Sequence, residues 1–395
     1  MVTMKNVDSA LKEIYLESVV NEINNKTNPF LTMIQKNAKE ATGSEARVHV
    51  RYGNSGAVAT GLEGGLLPVS DGRSAEIVSS LKNLYGSVQV SDKALKAAKH
   101  NPGAVAALLT DEMKNLIATA QNSLDAMLYG NGLKYLGYTD SYNPATQEIT
   151  VPMRFIKNFS VGQAIKFLNS NNEIQVENFS VVAIAGDKVK LNAGVAPDFV
   201  RHDRLFIYDL AVVDQEISGI DAIFRQDKLY NLNRAEVTDI LPFIKSETTV
   251  NVIMNEARVM QFLDACEEYT QGAAADIILT HPITRRALFD DVKNVRTNVD
   301  ASELAGGFKG FSFNGIPAYA DVKCKAGVLY ALNSDSWALH QLEDWSWIKS
   351  EEGSVLTPMA GKAGYSAAIT KYCELICEKP FLQGKLANHS AKRSV

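Results

Sequence analysis

The sequence predicts an α+β protein built from several segments, and three observations lead there. A long apolar stripe at helical spacing runs from Asn101 to Tyr129. Short strand-like runs crowd the stretch from Glu148 to Asp214. Beyond it, Arg234 to Trp347 alternates strand and helix patterns. At 395 residues the chain is too long for one ordinary domain and suits two or three. Hydrophobic residues make up 46% and charged residues 22%, so there is material for sizeable cores and the balance is that of a folded chain.

Taken in order, Val7 to Ile23 read as an amphipathic helix. Val7, Leu11, Ile14, Tyr15 and Val19 recur at three- and four-residue steps, and Asp8 or Ser9 can cap the start. Asn28-Pro29 breaks the pattern before a short apolar stretch, Phe30 to Ile34. A lone helix cannot bury its stripe by itself, so it needs a surface on this chain or on a neighbour.

Arg47 to Tyr52 alternates as a strand does, and Ser74 to Tyr85 carries a second, less regular run. Between them Gly53, Gly56, Gly61, Gly64, Gly65 and Gly72 disfavour a packed core. The shape expected is a long two-stranded hairpin with a loose tip. Such a ribbon is marginal alone and must lie across something else.

Asn101 to Tyr129 is the clearest element. Asn101 can cap it, Pro102 suits the first turn, and Gly130-Asn131-Gly132 stops it. Val105, Leu108, Leu109, Met113, Leu116, Ile117, Leu124, Met127 and Leu128 form its stripe. At ~1.5 Å per residue the helix would run roughly 40 Å.

From Glu148 to Asp214 the runs Ile165–Leu168, Glu173–Val176, Phe179–Ala185, Lys188–Leu191 and Leu205–Tyr208 are separated by Asn, Gly and Asp, with Gly186-Asp187 as one tight turn. A small barrel or sandwich is expected, inserted between helical patterns. In the following mixed α/β stretch, Thr249 to Tyr269 reads as a helix and Ile277 to Leu279 as a strand. A second helix opens at Pro282 and ends near Val292, and Val328 to Leu332 is another strand. Trp337, Trp345 and Trp347 close this stretch. Tyr365 to Leu386 returns to strand-like alternation, which would pair near the long helix and close that domain.

Net charge is −5 with a pI near 5.8, so the chain exerts no general pull on nucleic acid or anionic membrane. The one basic stretch, Lys385 to Arg393, reads as a frayed tail. Cys266, Cys324, Cys373 and Cys377 include no C-x-x-C pair, which argues against a disulfide framework or a zinc site; Cys373 and Cys377 share a face and read as packing residues. The first twenty residues place acids and lysines where a signal peptide needs an apolar run, and no stretch approaches the ~20 apolar residues of a membrane span. Folding in a cytoplasm is the expectation.

No catalytic motif is present. The glycine runs Gly61 to Gly65 and Gly306 to Gly310 lack both a G-x-G-x-x-G register and a following Lys-Ser/Thr pair, so they read as loops. His49, His100, His202, His281, His340 and His389 lie far apart. A triple such as Cys266, His281 and Asp290 can be written down, but nothing in its spacing requires it. Asp290-Asp291, Glu267-Glu268 and Glu351-Glu352 read as solvated acidic faces. No catalytic, cofactor-binding or metal-binding residue is assigned.

Several phrases, in order, carry a resemblance. They are NPFL (Asn28 to Leu31), EGGLLP (Glu63 to Pro68), YGSVQVSDKAL (Tyr85 to Leu95), DIILTHP (Asp276 to Pro282) and GGFKGFSFNGIPAYAD (Gly306 to Asp321). In the last, Asn314-Gly315 makes a tight turn and Pro317 begins an extended edge segment. Across nearly its whole length the sequence resembles the tailed-phage major capsid proteins of the Hong Kong ninety-seven type. The resemblance implies an N-terminal arm (1–42), an extended hairpin loop (43–85) and a peripheral domain with a spine helix (86–147). An inserted β domain (148–214), with EISGI (Glu216 to Ile220) after it, an apical α/β domain (215–347) and a return to the peripheral domain (348–395) complete it.

The same resemblance implies a non-enzymatic role: self-assembly into hexamers and pentamers of an icosahedral shell around packaged double-stranded DNA, which the shell contacts non-specifically. It implies a portal protein as partner, leaves room for a decoration protein, and places the chain in the virion after assembly in the host cytoplasm. Some members crosslink subunits through a hairpin lysine; Gly43 to Ala75 contains none, so crosslinking is not carried over. Some begin with a long cleaved scaffolding segment; here the arm starts almost at Met1, so a separate scaffolding protein is expected. Two rival readings remain: an encapsulin-like compartment with the same fold, and a cytoplasmic α/β enzyme.

Overall fold

The computed structural model describes residues 29–34, 39–41, 43–52, 60, 73–93, 112, 115–116, 118–120, 122–192, 205–210, 215–225, 228–246, 254–273, 275–295, 301–304, 308–348 and 357–387. The expected helix at Val7 to Ile23, the hairpin tip, the start of the Asn101 to Tyr129 helix and the tail beyond Ala387 lie outside the described residues.

Two sheets carry the frame. In the first, which has five strands, Trp337–Trp347 and Lys82–Ser91 flank Gly364–Cys377, with Lys39–Glu40 and Thr357–Pro358 as short additions. Lys82–Ser91 alternates buried and exposed positions along its length, sending Leu84, Val88 and Val90 inward. Leu116, in one of the described helical stretches, approaches this sheet closely. A Cβ on Gly86 would sit 2.8 Å from Leu116 Cδ1 and 3.0 Å from Ile369 Cγ1, so glycine leaves room there for these two side chains. Helix is observed over residues 122–128, where Leu124 and Leu128 are buried.

The second is a mixed seven-stranded sheet. Its order is Phe243–Ser246, Gly384–Ala387, Leu329–Leu332, Ile277–Thr280, Ile316–Ala320, Phe308–Phe313, Ala301–Leu304. Ile277–Thr280 and Leu329–Leu332 are buried at every position. Alternation explains this. Ile277, Leu279, Tyr330 and Leu332 join the core shared with the first sheet. Ile278, Leu329 and Ala331 face the other way, onto Val259, Phe262 and Leu263 of the helix Glu256–Tyr269.

A second seven-stranded path is formed by residues 135–209, in the order Tyr135–Tyr138, Phe206–Asp209, Ala164–Leu168, Ile174–Ala185, Lys188–Leu191, Glu148–Thr150, Ser141–Asn143. Its two end strands are consecutive in the chain, so the path curls back on itself as a small barrel. Leu136, Ile149, Val151, Ile165, Phe167, Phe179, Val181, Val189 and Ile207 fill its own core. Burying each such side chain is worth ~1.5–3 kcal/mol relative to exposure.

The structure corrects several expected boundaries. The barrel takes in Tyr135 to Asn143, earlier placed with the peripheral segment, because these are the two end strands of its path. Glu173 to Ala185 is one strand from Ile174 rather than two. The run Ser74 to Tyr85 is split. Arg73–Ser80 pairs with Glu45–Tyr52, whereas Lys82–Ser91 leaves the hairpin for the first sheet. Trp337–Trp347 belongs to that sheet and not to the α/β stretch it closes in sequence, since its ladder runs along Gly364–Cys377.

Conversely, Gly384–Ala387 leaves the C-terminal segment to pair inside the mixed sheet. The helix expected from Thr249 starts at Glu256, where the Asn255 side chain accepts from the Arg258 N–H at 3.0 Å and caps it. Pro317 is not at an edge, because Ile316–Ala320 is flanked on both sides. Pairing with Ile277–Thr280 begins only at Ala318, so the missing N–H costs no ladder bond there. The Asn314-Gly315 turn forms as expected, with φ of 48° and 82°.

Candidate functional site

The residues that hold these parts in register meet at one buried acid. Asp221 lies in the short turn Ile220–Phe224 that follows the barrel. It is fully buried and accepts from Lys385 Nζ at 2.6 Å, from the Tyr330 hydroxyl at 2.9 Å and from Lys325 Nζ. Lys385 and Tyr330 come from the mixed sheet, and Lys325 from the loop before Leu329. Lys325 also donates to Asn172 Oδ1 at 2.8 Å, on a barrel loop, and lies 5.0 Å from the Phe206 ring centroid on the barrel's outer face. Asn131, just beyond the long helix, donates to the same Asn172 oxygen at 3.1 Å. Asn172 Nδ2 returns a bond to the Asp221 carbonyl at 3.2 Å. One cluster therefore ties helix end, barrel and mixed sheet together.

Its electrostatics are unbalanced, with two ammonium groups on one carboxylate. Burial alone would raise the Asp221 pKa, but Lys325 and Lys385 outweigh it and hold the acid at about 2. Burial acts on Lys325 in the opposite direction from its partners, and the Asp221 charge wins, raising that lysine. Lys385 receives the other outcome: burial, reinforced by Lys325, pulls it down to about 8 against the attraction of Asp221.

A second buried acid sits where the segment after the barrel meets the first sheet. Glu374 is fully buried, accepts from the Ser218 N–H at 2.7 Å and faces Lys82 Nζ at 3.8 Å. Burial pushes it up to about 7, with Lys82 opposing. Beside it, Gly219 passes so close under the Met127 and Leu128 carbonyl oxygens that a Cβ would collide with both.

Sequence reasoning missed this cluster and misread one member. Lys385, taken as the start of a basic tail, is a fully buried strand residue. A signal was present: Lys385 in FLQGKLA and Asp221 in GIDAIF are charges inside apolar runs, which demand partners.

Of the triple Cys266, His281 and Asp290, the Asp290 side chain lies outside the described residues, and the other two are held in structural roles. Burial raises the Cys266 thiol to about 12, and His281 Nδ1 accepts from the Ile283 N–H at 3.1 Å at a helix start. All four cysteines are free and buried, Cys373 and Cys377 within the shared core. Among the described residues no group of three or more His, Cys, Asp or Glu is placed to hold a metal ion, and no helix is long and apolar enough to cross a membrane.

The arrangement is thus a packed frame with structural charges, and its fold is that of phage major capsid proteins. The asymmetric unit of the cyanophage A-1(L) capsid matches it with a TM-score of 0.54 at 12% identity, over 92% of this chain and 93% of that one. The holo-SrpI encapsulin from Synechococcus elongatus PCC 7942 follows with a TM-score of 0.48 at 10% identity, over 93% and 90%. Mycobacterium phage Bobi gives 0.44 at 9% identity, over 98% of each chain. No family model and no curated protein sequence matches the chain.

Proposed function

We propose that this chain is a structural major capsid protein, a subunit that assembles with copies of itself into hexamers and pentamers of an icosahedral shell. The observation that carries the reading is the chain-long agreement in fold with the cyanophage capsid subunit. In this reading the first sheet and long helix are the peripheral domain, the mixed sheet is the apical domain, the barrel is an inserted domain and Glu45–Ser80 is the base of the extended loop. The shell encloses packaged double-stranded DNA, is part of the virion, and is assembled in the host cytoplasm with a portal and a separate scaffolding protein.

The role is mechanical. A closed shell needs ring-forming, heterologous contacts repeated by symmetry. Each subunit must therefore present several faces at fixed mutual angles, and the Asp221 cluster fixes three of its parts against one another. Sedimentation of the purified full-length protein tests the proposal. Megadalton particles are expected, and a discrete small oligomer would contradict it. Particles carrying protein cargo in place of DNA would favour a compartment shell instead.

A further inference from the structure

The hairpin Glu45–Tyr52 and Arg73–Ser80 has two unlike faces. Ala46, Val50 and Ile77 are buried against this chain's own core, with Val48 and Ala75 half-buried beside them. Arg47, His49, Arg51 and Glu76 point to the other, exposed side. Packing of one apolar face sets which side of the ribbon meets the core, but hydrophobic contact is non-directional. Something more specific must set its direction.

That contact comes from a second, much smaller hairpin, Lys228–Leu229 and Leu232–Asn233, which pairs Leu229 with Leu232 and turns through Tyr230 and Asn231 alone. Each turn residue grips a different strand edge. The Tyr230 hydroxyl accepts from the Cys377 N–H at 2.9 Å and donates to the Leu375 carbonyl at 3.5 Å. It does so where Gly364–Cys377 has outrun its neighbour, whose ladder ends at Cys373. Asn231 does the same for the large hairpin. Its Oδ1 accepts from the Val78 N–H at 2.8 Å, and its Nδ2 donates to the Glu76 carbonyl at 3.3 Å.

Glu76 and Val78 face outward from the ribbon, two residues apart, so one amide side chain stands in for a pairing strand. Tyr230 holds φ of +52°, a backbone that bulky residues rarely adopt. A left-handed tyrosine persists only where its surroundings over-determine it, and such outliers gather at functional positions. An exposed ion pair, Arg73 with Asp239 at 2.5 Å, lies farther along the same edge and adds little by itself.

We propose that the Tyr230–Asn231 turn is the bracket that aims the hairpin, and that Asn231 is a positioning residue for assembly. This rests on the shell-subunit reading above. Eight paired residues at ~3.4 Å each give a lever of roughly 27 Å, so a tilt of about ten degrees at its base moves the far end by ~5 Å. A displacement of that size is enough to miss a neighbour's surface. The bracket couples the lever to the first sheet through a turn of two residues, so the hairpin's direction is fixed by the subunit before any neighbour is met.

The test uses the full-length protein with Asn231→Ala, Asn231→Asp and Tyr230→Phe. Asn231→Asp keeps the acceptor for Val78 and replaces the donor by a charged oxygen facing the Glu76 carbonyl. Amide exchange at Val78 in unassembled subunits should rise at least tenfold in Asn231→Ala and stay near the parent in Asn231→Asp, while the Gly364–Cys377 amides hold their parent rates in both. Tyr230→Phe should speed exchange at Cys377. Electron microscopy should then show Asn231→Ala particles that are open or of mixed size, with Asn231→Asp restoring parent-like shells.

Unchanged Val78 exchange in Asn231→Ala would overturn the bracket. Faster exchange with parent-like particles would overturn its role in assembly. If the parent itself forms no shell, the shell reading and the aiming role fall together, and Val78 exchange still decides whether the bracket exists.

Discussion

Replacing Asp221 by Asn should damage this protein far more than removing the lysine beside it. Among the described residues Asp221 is the one carboxylate paired with both Lys325 and Lys385, and all three are buried. Asp221→Asn leaves two ammonium groups without a counter-charge, and breaking a buried pair in this way costs about 3–5 kcal/mol. That is a large share of a domain's ~5–15 kcal/mol. Lys385→Met instead leaves one lysine on one acid, a neutral pair, and should be at least as stable as the parent at pH 7.

The pH dependence sharpens the contrast. Lys385 falls from 10.5 to about 8 in the folded chain. Between those values the unfolded chain holds more protons, so the stability contributed by this group rises with pH across that window. The cost of keeping it charged, about 3 kcal/mol, is fully present below pH 8. Urea unfolding of parent, Asp221→Asn and Lys385→Met at pH 7 and pH 9.5 measures both effects. If Lys385→Met is as harmful as Asp221→Asn, or if the parent gains nothing over Lys385→Met at pH 9.5, the charge argument is refuted.

Three further outcomes are expected. Glu374 is raised from 4.5 to about 7 by burial, so its ionisation lowers the stability of the folded chain as pH climbs through that window, by about 3 kcal/mol in all; Glu374→Gln should flatten this decline in pH-dependent unfolding curves. Gly219→Ala drives a methyl into the Met127 and Leu128 carbonyls and should cost about 1–3 kcal/mol, read as a lowered urea midpoint. Replacing Tyr135 to Asp209 by a short Gly-Ser linker should leave soluble subunits with the remaining sheets intact by circular dichroism, because the barrel has its own core; aggregated chain alone would show it to be woven into the rest.

How much was legible follows from which signals are local. The end of the long helix, the barrel strands from Ala164 onward and the strand Ile277–Thr280 all announce themselves by spacing within a few residues. The barrel's first strand did not, because Tyr135–Tyr138 is short and carries Gly137, whose bare backbone lets Phe155 pack 3.0 Å from where a Cβ would stand. Trp337–Trp347 was assigned to the wrong sheet since its partner strand lies past an intervening loop, and nothing in its own pattern names that partner. The Asp221 cluster was illegible as a cluster. Its contacts span 104 and 164 residues of sequence, so composition could flag each buried charge but not say which charges meet.

The most direct measurement of the central claim is cryo-electron microscopy of the purified full-length protein. The account predicts closed icosahedral particles with five- and six-fold capsomers, in which the hairpin from Glu45 to Ser80 reaches a neighbouring subunit and every copy keeps the Asp221 junction. A uniform small oligomer would contradict it.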